Sequence, residues 1–322
     1  MKKQKYFCNN NNFFHGVMFH HFHDNKLHSK SQGSINSLQL EKIIKIIGKK
    51  NIVNSDDVLK IKNNSLKKKV CLTFDDCLKS QYDVALPILK KYKIKAFFFV
   101  YTGAIFDSKN FHEVFRYFRQ HFFKNFLCFY NIFYKELLYY YSKEIIDGFL
   151  KKESKSIKDW KKKFKFYSNE DIQFRFIRDR FLSEKDYVKI MIKIFRKKNF
   201  KYKKLKNNLI MKPKDLIKLY ALGHEIGLHS HSHPTFLKKL EYKRQLNEYT
   251  LNLKLLKKIG IKTIRTVSHP NGSYGSKTLQ ILKKMNIKIG FRQVMIKNNI
   301  QNKLDLKIPR IDHTDIVNKF KL

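Results

Sequence analysis

The chain has 322 residues, of which 69 are Lys or Arg and 26 are Asp or Glu, so its formal charge is +43. Hydrophobic residues make up 43% of the chain and aromatic residues 15%. This is enough for a sizeable core and excludes a disordered polar chain. Gly and Pro are scarce, at 11 and 5 residues, which excludes collagen-like and proline-rich proteins. The length predicts one large domain or two small ones.

The positive charge by itself suggests a nucleic-acid-binding protein, but the type of cation argues against this. The chain has 59 Lys and only 10 Arg, whereas phosphate recognition favours the bidentate Arg side chain. The many Asn, Ile, Phe and Tyr residues indicate an AT-rich coding bias that spreads Lys over solvated surfaces. We therefore expect no specific nucleic acid partner. A basic surface for a membrane or a polyanionic substrate is the alternative.

The four cysteines, Cys8, Cys71, Cys77 and Cys128, have no regular spacing, so they predict reduced thiols rather than a disulfide framework. Residues 1–12 lack the apolar run of a signal peptide. No apolar stretch of 18 residues occurs, so no membrane-spanning helix is predicted. We expect a cytoplasmic protein, with peripheral contact to the inner membrane face as an option.

Strand and helix patterns alternate in two parts of the chain. In the first part the predicted elements are a strand within 13–24, a helix at 37–47 with Ser37 as N-cap, a strand at 70–74, a helix at 81–92 that contains Pro87, and a strand at 96–101. In the second part helices at 213–221, 236–259 and 276–285 alternate with strands at 225–230, 264–268, 287–291 and 306–311. This alternation predicts parallel strands in one α/β barrel or sheet.

Residues 107–206 follow a different pattern. They contain almost no Gly or Pro, and Phe, Tyr and Lys recur with nearly helical spacing. We predict a helical insertion here, so that residues 1–106 and 207–322 form one discontinuous domain. The aromatic residues of the insertion could be its own core, a lid, or a docking surface for a partner or a membrane.

Two adjacent carboxylates, Asp75 and Asp76, follow the predicted strand at 70–74. The carboxyl ends of parallel strands are where sites collect in α/β folds. Adjacent carboxylates repel each other unless a cation or a proton is held between them. One of them could bind a metal while the other acts as a general base. A helix N-cap is the structural alternative.

Residues 223–234, GHEIGLHSHSHP, contain four histidines. His229 and His233 are four residues apart, so on one helical turn or in a tight loop they can face a common point, as two imidazole ligands must. A carboxylate as third ligand would complete a catalytic metal site with an open position for water. His224 and His231 fit solvated or supporting roles. Chance placement on the surface is the alternative for an isolated pair with this spacing.

A third segment, SHPNGSY at residues 268–274, follows a predicted strand. Its Pro, Asn and Gly predict a tight turn, and such a turn can present backbone N–H groups to a developing oxyanion. An ordinary connection between a strand and a helix is the alternative.

Together these segments resemble the polysaccharide deacetylase family with the NodB homology domain (carbohydrate esterase family 4). TFDD at 73–76 matches the first motif of the family, and HSHSHP at 229–234 matches its second motif, H-[ST]-x-x-H-P. KIKAFFFV at 93–100 looks like the second strand of the family, and 268–274 lies where the third motif belongs. MFHHFHD at 18–24 looks like the start of bacterial deacetylases associated with surface polysaccharides.

The resemblance implies a distorted (β/α) barrel of the NodB type. Asp76, His229 and His233 would bind a divalent metal, most often zinc, and Asp75 would be the general base that activates a water. The water would attack the acetamide of an N-acetylated sugar. Backbone N–H groups near Tyr274 or in the turn at residues 76–77 would hold the oxyanion.

Two departures from the family pattern affect the remaining assignments. The third motif of the family carries an Arg, which 268–271 lacks, so no residue that orients Asp75 is identified. The last motif supplies a histidine as general acid, and the segment 308–313 offers His313 for this role. The remaining residues assigned to substrate binding are His269, Pro270, Asn271, Tyr274, Arg310, His21 and His23.

The predicted function is therefore a metal-dependent N-deacetylase for an N-acetylated sugar of a surface polysaccharide or its precursor, and the precursors considered include nucleotide- and lipid-linked sugars. One alternative keeps the barrel and its site but makes the enzyme a deformylase or another amide hydrolase acting on a small substrate. A second alternative is a catalytically weak protein whose basic surface binds glycan or membrane. The sequence does not predict an oligomeric state.

Overall fold

The computed structural model describes residues 6–7, 12–60, 66–163, 167–296 and 305–322. The chain divides into two compact units, Met1–Asn110 with Asn207–Leu322, and Phe111–Lys206. No helix among the described residues is long and apolar enough to cross a membrane. Cys71, Cys77 and Cys128 are free thiols, whereas the predictions for Cys8 and for the start of the chain lie outside the described residues.

The first unit is built on one parallel sheet. The described residues contain seven strands, β1 (His15–Phe19), β2 (Val70–Phe74), β3 (Phe97–Val100), β4 (Glu225–Leu228), β5 (Thr266–Ser268), β6 (Ile289–Phe291) and β7 (Arg310–Asp312). Their order in the sheet is β6-β5-β4-β3-β2-β1-β7, and every neighbouring pair is parallel. All seven carboxyl ends therefore lie at the same edge of the sheet.

The two edges of the sheet approach each other just before β7. Phe291 of β6 forms a parallel bridge with Ile308. The Arg292 N–H donates to the Ile308 carbonyl at 2.9 Å, and the Ile308 N–H donates to the Gly290 carbonyl at 2.8 Å. The sheet is thus a nearly closed barrel, and the predicted α/β fold of the distorted (β/α) barrel type is confirmed.

Helices follow the strands along the chain. Before the second unit they are α1 (Ser37–Ile47), α2 (Ser55–Val58), α3 (Leu86–Lys91) and α4 (Gly103–Phe106). The next are α5 (His112–His121), α6 (Phe126–Leu137), α7 (Lys143–Lys152), α8 (Ser154–Lys163), α9 (Asn169–Phe176), α10 (Glu184–Lys197) and α11 (Lys203–Leu209). The last are α12 (Pro213–Ala221), α13 (Tyr242–Lys258), α14 (Ser276–Lys284) and α15 (His313–Phe320).

The continuous apolar runs of the strands are buried on both faces, as expected for a parallel sheet. Alternate residues of β3 enter different clusters. Phe98 and Val100 pack with the large core that includes helix residues, whereas Phe97 and Phe99 pack with Phe291 in a smaller cluster. Because successive side chains of a strand point to opposite faces, the smaller cluster fills the inside of the barrel.

Several predicted boundaries are wrong by a few residues, each for a local reason. The N-cap of α1 is Asn36, not Ser37. The Asn36 side chain accepts from the Gln39 backbone N–H, and the Gln39 side chain accepts from the Asn36 backbone N–H, which is a capping box. The helix predicted at 236–259 begins only at Tyr242, after a separate 3₁₀ turn. In place of the strand predicted at 306–311, the chain forms β7. This strand starts only after Pro309, because proline has no N–H to donate to a neighbouring strand.

The second unit is helical, as the pattern of residues 107–206 predicts. Its aromatic side chains form the core of the unit. Phe118 contacts Phe195 with ring centroids 4.6 Å apart, and Phe133 contacts Phe174 at 4.9 Å. All four of these rings are buried. The interpretation of these aromatic residues as core is therefore confirmed for the interior of this unit.

Candidate active site

The turn after β2 carries the two adjacent carboxylates. Asp75 and Asp76 are both buried. Asp76 and Cys77 adopt positive φ angles of 77° and 58°, a conformation that costs energy for residues other than glycine. The Gln81 side chain stabilises this turn, because its amide N–H groups donate to the backbone carbonyls of both Asp75 and His20. The turn therefore holds the two carboxylates in one fixed arrangement.

The loop after β4 carries the two histidines predicted as ligands. His229 and His233 are buried, and both lie in this loop rather than on a helix. Ser230 and His233 have φ angles of 60°, so the loop reverses tightly within a few residues. β4 is separated from β2 only by β3, which places this loop near the turn that carries Asp76.

Asp76, His229 and His233 converge on one point. Asp76 Oδ1 lies 3.3 Å from the Nε2 atoms of both histidines. One ligand atom from each residue lies within 4.8 Å of the others. His229 Nδ1 donates to the Ser268 carbonyl at 2.8 Å. This bond places the ring proton on Nδ1 and leaves the Nε2 lone pair directed toward Asp76.

The polar atoms of this cluster fit a cation. Asp76 Oδ1 is buried, and within the described part of the chain no donor with good hydrogen-bond geometry reaches it. A carboxylate oxygen and an imidazole lone pair that face each other repel unless a cation or a proton lies between them. Two imidazole nitrogens and one carboxylate are a donor set typical of catalytic zinc.

The charges in the cluster shift the pKa values of its members. Burial raises the pKa of Asp76, but the close His229 ring and the charges of the nearby histidines outweigh burial and hold the pKa well below its usual range. Burial lowers the pKa of His229, but the Asp75 and Asp76 carboxylates outweigh it and raise the pKa. Without a cation, the two carboxylates therefore attract a proton to His229.

Asp75 is held by Arg310, the first residue of β7. Nη1 and Nη2 of Arg310 donate to the two carboxylate oxygens of Asp75, each at 2.8 Å. The other N–H groups of the guanidinium are also used, because Nε donates to the Arg292 carbonyl, Nη1 to Thr73 Oγ1 and Nη2 to Ser268 Oγ. All five donors of Arg310 thus have partners.

Arg310, a predicted substrate-binding residue, lies where its side chain orients Asp75 instead. The side chain is 1% exposed, and its donors are used inside the protein. Arg310 instead supplies the Arg that the third motif lacks, although it comes from another strand. Ser268 Oγ, at the end of β5, also donates to Asp75 Oδ2 at 3.0 Å. Burial raises the pKa of Asp75, but the charge of Arg310 outweighs burial and lowers the pKa.

His20, which follows β1, faces the same carboxylate. Its Nε2 lies 4.0 Å from Asp75 Oδ2, and 26% of its side chain is exposed. His21 and His23 were predicted to line the site together. His21 lies beside His20, with ring centroids 6.4 Å apart. His23 is buried and its Nδ1 is 2.8 Å from Ser34 Oγ. His20 is thus the member of this cluster nearest to Asp75.

His313, the predicted general acid, lies in surroundings that argue against this role. Its side chain is buried at the start of α15. Nδ1 lies 3.1 Å from the Met18 carbonyl and Nε2 lies 2.8 Å from the Gly33 carbonyl. Both ring nitrogens therefore face backbone acceptors, and neither is available to a substrate.

The segment 268–274 forms the predicted turn, with a 3₁₀ turn at Pro270–Gly272. His269 is buried, its Nε2 lies 2.8 Å from the Leu306 carbonyl, and its ring stacks on Tyr274 with centroids 4.3 Å apart. These contacts argue against the predicted role of His269 in substrate binding. Burial lowers the pKa of His269 to about 4, which keeps it neutral. Pro270 is buried in the same turn and Asn271 is exposed.

Neither Ser268 nor Gln81 is predicted as a site residue from the sequence, and no role of its own is predicted for His20. A signal for Arg310 did exist, because an Arg between Ile308 and Ile311 in an apolar segment requires a buried acidic partner.

A family model described as "Polysaccharide deacetylase" matches residues 62–120 and 185–290. These segments contain both carboxylates and both histidines of the cluster. No curated protein sequence matches the chain.

Several solved structures are similar to the chain over nearly its full length. The deacetylase PplD from Streptococcus pyogenes has 18% identity and a TM-score of 0.50, with 96% of this chain and 98% of that chain covered. IcaB from Ammonifex degensii has 15% identity and a TM-score of 0.54, with 96% and 95% covered. A de-N-acetylase from Aggregatibacter actinomycetemcomitans has 13% identity and a TM-score of 0.55, with 95% and 99% covered.

At these identities the similarity to solved structures shows the fold, whereas the family model identifies the family. The model covers just over half of the chain and confirms the resemblance inferred from the motifs. The chain belongs to the polysaccharide deacetylase family.

Proposed function

We propose that this protein is a metal-dependent hydrolase that removes the N-acetyl group from an N-acetylated sugar of a surface polysaccharide or its precursor. One observation supports this above all. Asp76, His229 and His233 converge within 4.8 Å, next to a second carboxylate that Arg310 holds in place. Membership of the family supports deacetylation of a polysaccharide. The metal and the acetamido sugar are the proposed parts.

Asp76, His229 and His233 would hold a divalent cation, most suitably zinc, and when bound such a cation lowers the pKa of a water and polarises a carbonyl. The protein supplies the orientation of these ligands. The Ser268 carbonyl fixes the ring of His229, and the turn at Asp76 fixes the carboxylate. These contacts prepare the ligands before any substrate arrives.

Asp75 would accept the proton of the attacking water at Oδ2. This oxygen lies 4.0 Å from both His20 Nε2 and His229 Nε2, so it faces the cluster. The lowered pKa keeps Asp75 ionised at neutral pH, which a general base requires. The same low pKa means that Asp75 gives up the proton readily.

We assign proton donation to the leaving amine to His20, in place of His313. His20 is partly exposed and its Nε2 lies 4.0 Å from Asp75 Oδ2. A donor at this position can take the proton that Asp75 releases and pass it to the departing nitrogen. Acetate is the other product, and the solved PplD structure from Streptococcus pyogenes contains acetate.

The test is acetate release from a panel of N-acetylated oligosaccharides, N-formylated sugars and nucleotide- or lipid-linked N-acetylated sugars, with and without a chelator. We expect acetate from N-acetylated sugars and loss of this activity on chelation. Formate release alone would favour the deformylase alternative. The cytoplasmic location and the membrane contact remain proposals from the sequence.

A further inference from the structure

The backbone of the loop at 229–233 is held by side chains of α13, by a backbone N–H at the start of α4 and by Ser230 of the loop itself. The His229 N–H donates to Asn252 Oδ1 at 3.0 Å, and the His233 N–H donates to Ser230 Oγ at 3.1 Å. The His231 carbonyl accepts from the Gly103 N–H at 2.7 Å. A loop without a strand or helix partner needs such substitutes for each backbone polar group.

Glu248 makes the densest set of these contacts. Its Oε2 accepts from the backbone N–H groups of His231 and Ser232, at 2.9 and 2.8 Å. Its Oε1 accepts from Ser232 Oγ at 2.7 Å. Hydrogen bonds to an ionised carboxylate are stronger than those between neutral groups. One side chain of α13 thus binds the midpoint of the loop through three bonds.

The position of these bonds matters for the two histidines. His231 and Ser232 lie between His229 and His233, and the residues with φ angles of 60° lie on either side of them. A loop in this conformation persists only when its surroundings enforce it. Without the Glu248 carboxylate, two backbone N–H groups lose their acceptor, and the separation of the two imidazoles is no longer enforced.

We propose that Glu248 is a positioning residue that sets the affinity of the His229–His233 loop for its cation. This inference rests on the proposed function, since it requires that Asp76, His229 and His233 bind a metal. Glu248 does not touch that cluster, and it acts through the backbone of the loop. Residues of this kind change metal affinity by about 10- to 100-fold when they are replaced.

The test measures the affinity of the metal-free full chain for Zn²⁺ by competition with a chromophoric chelator. The variants are Glu248→Ala, which removes all three acceptor contacts, and Glu248→Gln, which keeps one carbonyl oxygen as an acceptor. Glu241→Gln is the matched control, because this exposed Glu lies at the start of the same helix, α13. The melting temperature of each metal-free protein is measured in parallel.

We expect about 10- to 100-fold weaker Zn²⁺ binding for Glu248→Ala, a smaller loss for Glu248→Gln, and no change for Glu241→Gln. If both Glu248 variants bind Zn²⁺ as tightly as the unchanged protein, the inference is wrong even if their melting temperatures fall. If Glu248→Ala does not fold, the Glu248→Gln variant decides. If the unchanged protein binds no Zn²⁺, the proposed function fails as well.

Discussion

Arg310 and Asp75 form a buried bidentate ion pair, with two Nη–Oδ distances of 2.8 Å, although 235 positions separate them in the chain. The sheet order explains the pairing. Arg310 begins β7 and Asp75 follows β2, and only β1 lies between these two strands. The pair fixes the orientation of the proposed base and links the last strand to the active site.

Replacement of Arg310 tests this pair. Arg310→Met leaves the Asp75 carboxylate buried without its partner, so we expect the free energy of unfolding at pH 7 to fall by about 3–5 kcal/mol. Arg310→Lys keeps the positive charge but loses the planar guanidinium that binds both carboxylate oxygens. The free energy of unfolding should therefore fall less than for Arg310→Met, and acetate release should still be reduced about 100-fold. Urea unfolding and initial rates measure both effects.

Lys95→Met is the control for that experiment, because both side chains of its ion pair with Asp56, 2.8 Å apart, are partly exposed. Solvent screens such a pair, so its loss should change stability little. If Arg310→Met were as stable and as active as the unchanged protein, the proposed role of the pair would be wrong.

Gly16 of β1 leaves room for the stem of Arg310. A Cβ at this position would lie 2.9 Å from Arg310 Cγ and 3.3 Å from Phe291. We expect Gly16→Ala to destabilise the protein by about 1–3 kcal/mol, because the buried core must shift, and to lower kcat by displacing Asp75. Thermal unfolding and kcat are the measurements.

Gly148 offers the matched comparison, because a Cβ there meets nothing within 4 Å and the residue lies within α7. Gly148→Ala should stabilise its helix by about 0.5–1 kcal/mol and leave kcat unchanged. Equal effects of the two substitutions would show that the close approach of Arg310 to β1 has no consequence.

Substitutions of His20 and His313 test which of these two histidines is the general acid. His20→Gln should lower kcat by about 100-fold or more and leave bound metal and stability unchanged. His313→Asn should lower stability by about 1–3 kcal/mol, because backbone carbonyls lose a buried donor, with little direct effect on kcat. Kinetics over a range of pH and urea unfolding provide the comparison. If His313→Asn instead lowered kcat by this amount and His20→Gln did not, His313 would be the general acid.

His224 makes stability depend on pH. Burial lowers its pKa to about 4, and its Nδ1 accepts from the Ala96 N–H at 3.1 Å, a bond that protonation of Nδ1 would break. The unfolded chain, with a pKa near 6.5, therefore binds this proton first as the pH falls. The free energy of unfolding should fall between pH 6.5 and 4, by up to about 3 kcal/mol from this residue.

His224→Asn keeps an acceptor for Ala96 without a group that titrates in this range. Urea unfolding at pH 7 and pH 4.5 should show a smaller loss of stability for the variant. An identical loss in both proteins would exclude His224 as a source of the acid sensitivity.

The strands and the metal cluster could be predicted because local patterns encode them. The apolar run of β2 ends at two carboxylates, and the spacing of His229 and His233 suits two ligands. The role of Arg310 depends on which strands are neighbours, and local spacing carries no such information. The same holds for Glu248, whose partners lie in a loop before α13. Burial argues against the roles predicted for His269 and His313, and a single motif does not report whether a ring nitrogen is buried.

The positive charge of the chain is distributed over both units. Residues 111–206 contain 26 Lys and Arg and 11 Asp and Glu, a net charge of +15 over 96 residues. The other 226 residues carry +28. The charge density is therefore similar in both units, as a compositional bias predicts, and the insertion is not a specially basic module.

The most direct test of the proposed active site measures zinc content and acetate release on the same preparations of four proteins. The unchanged protein should contain zinc and release acetate, and His121→Ala, on the insertion, should match it. His229→Ala should lose both properties, whereas Asp75→Asn should keep zinc and lose acetate release. A His229→Ala protein that retains both its metal and its activity would contradict the assignment of Asp76, His229 and His233 as the metal site.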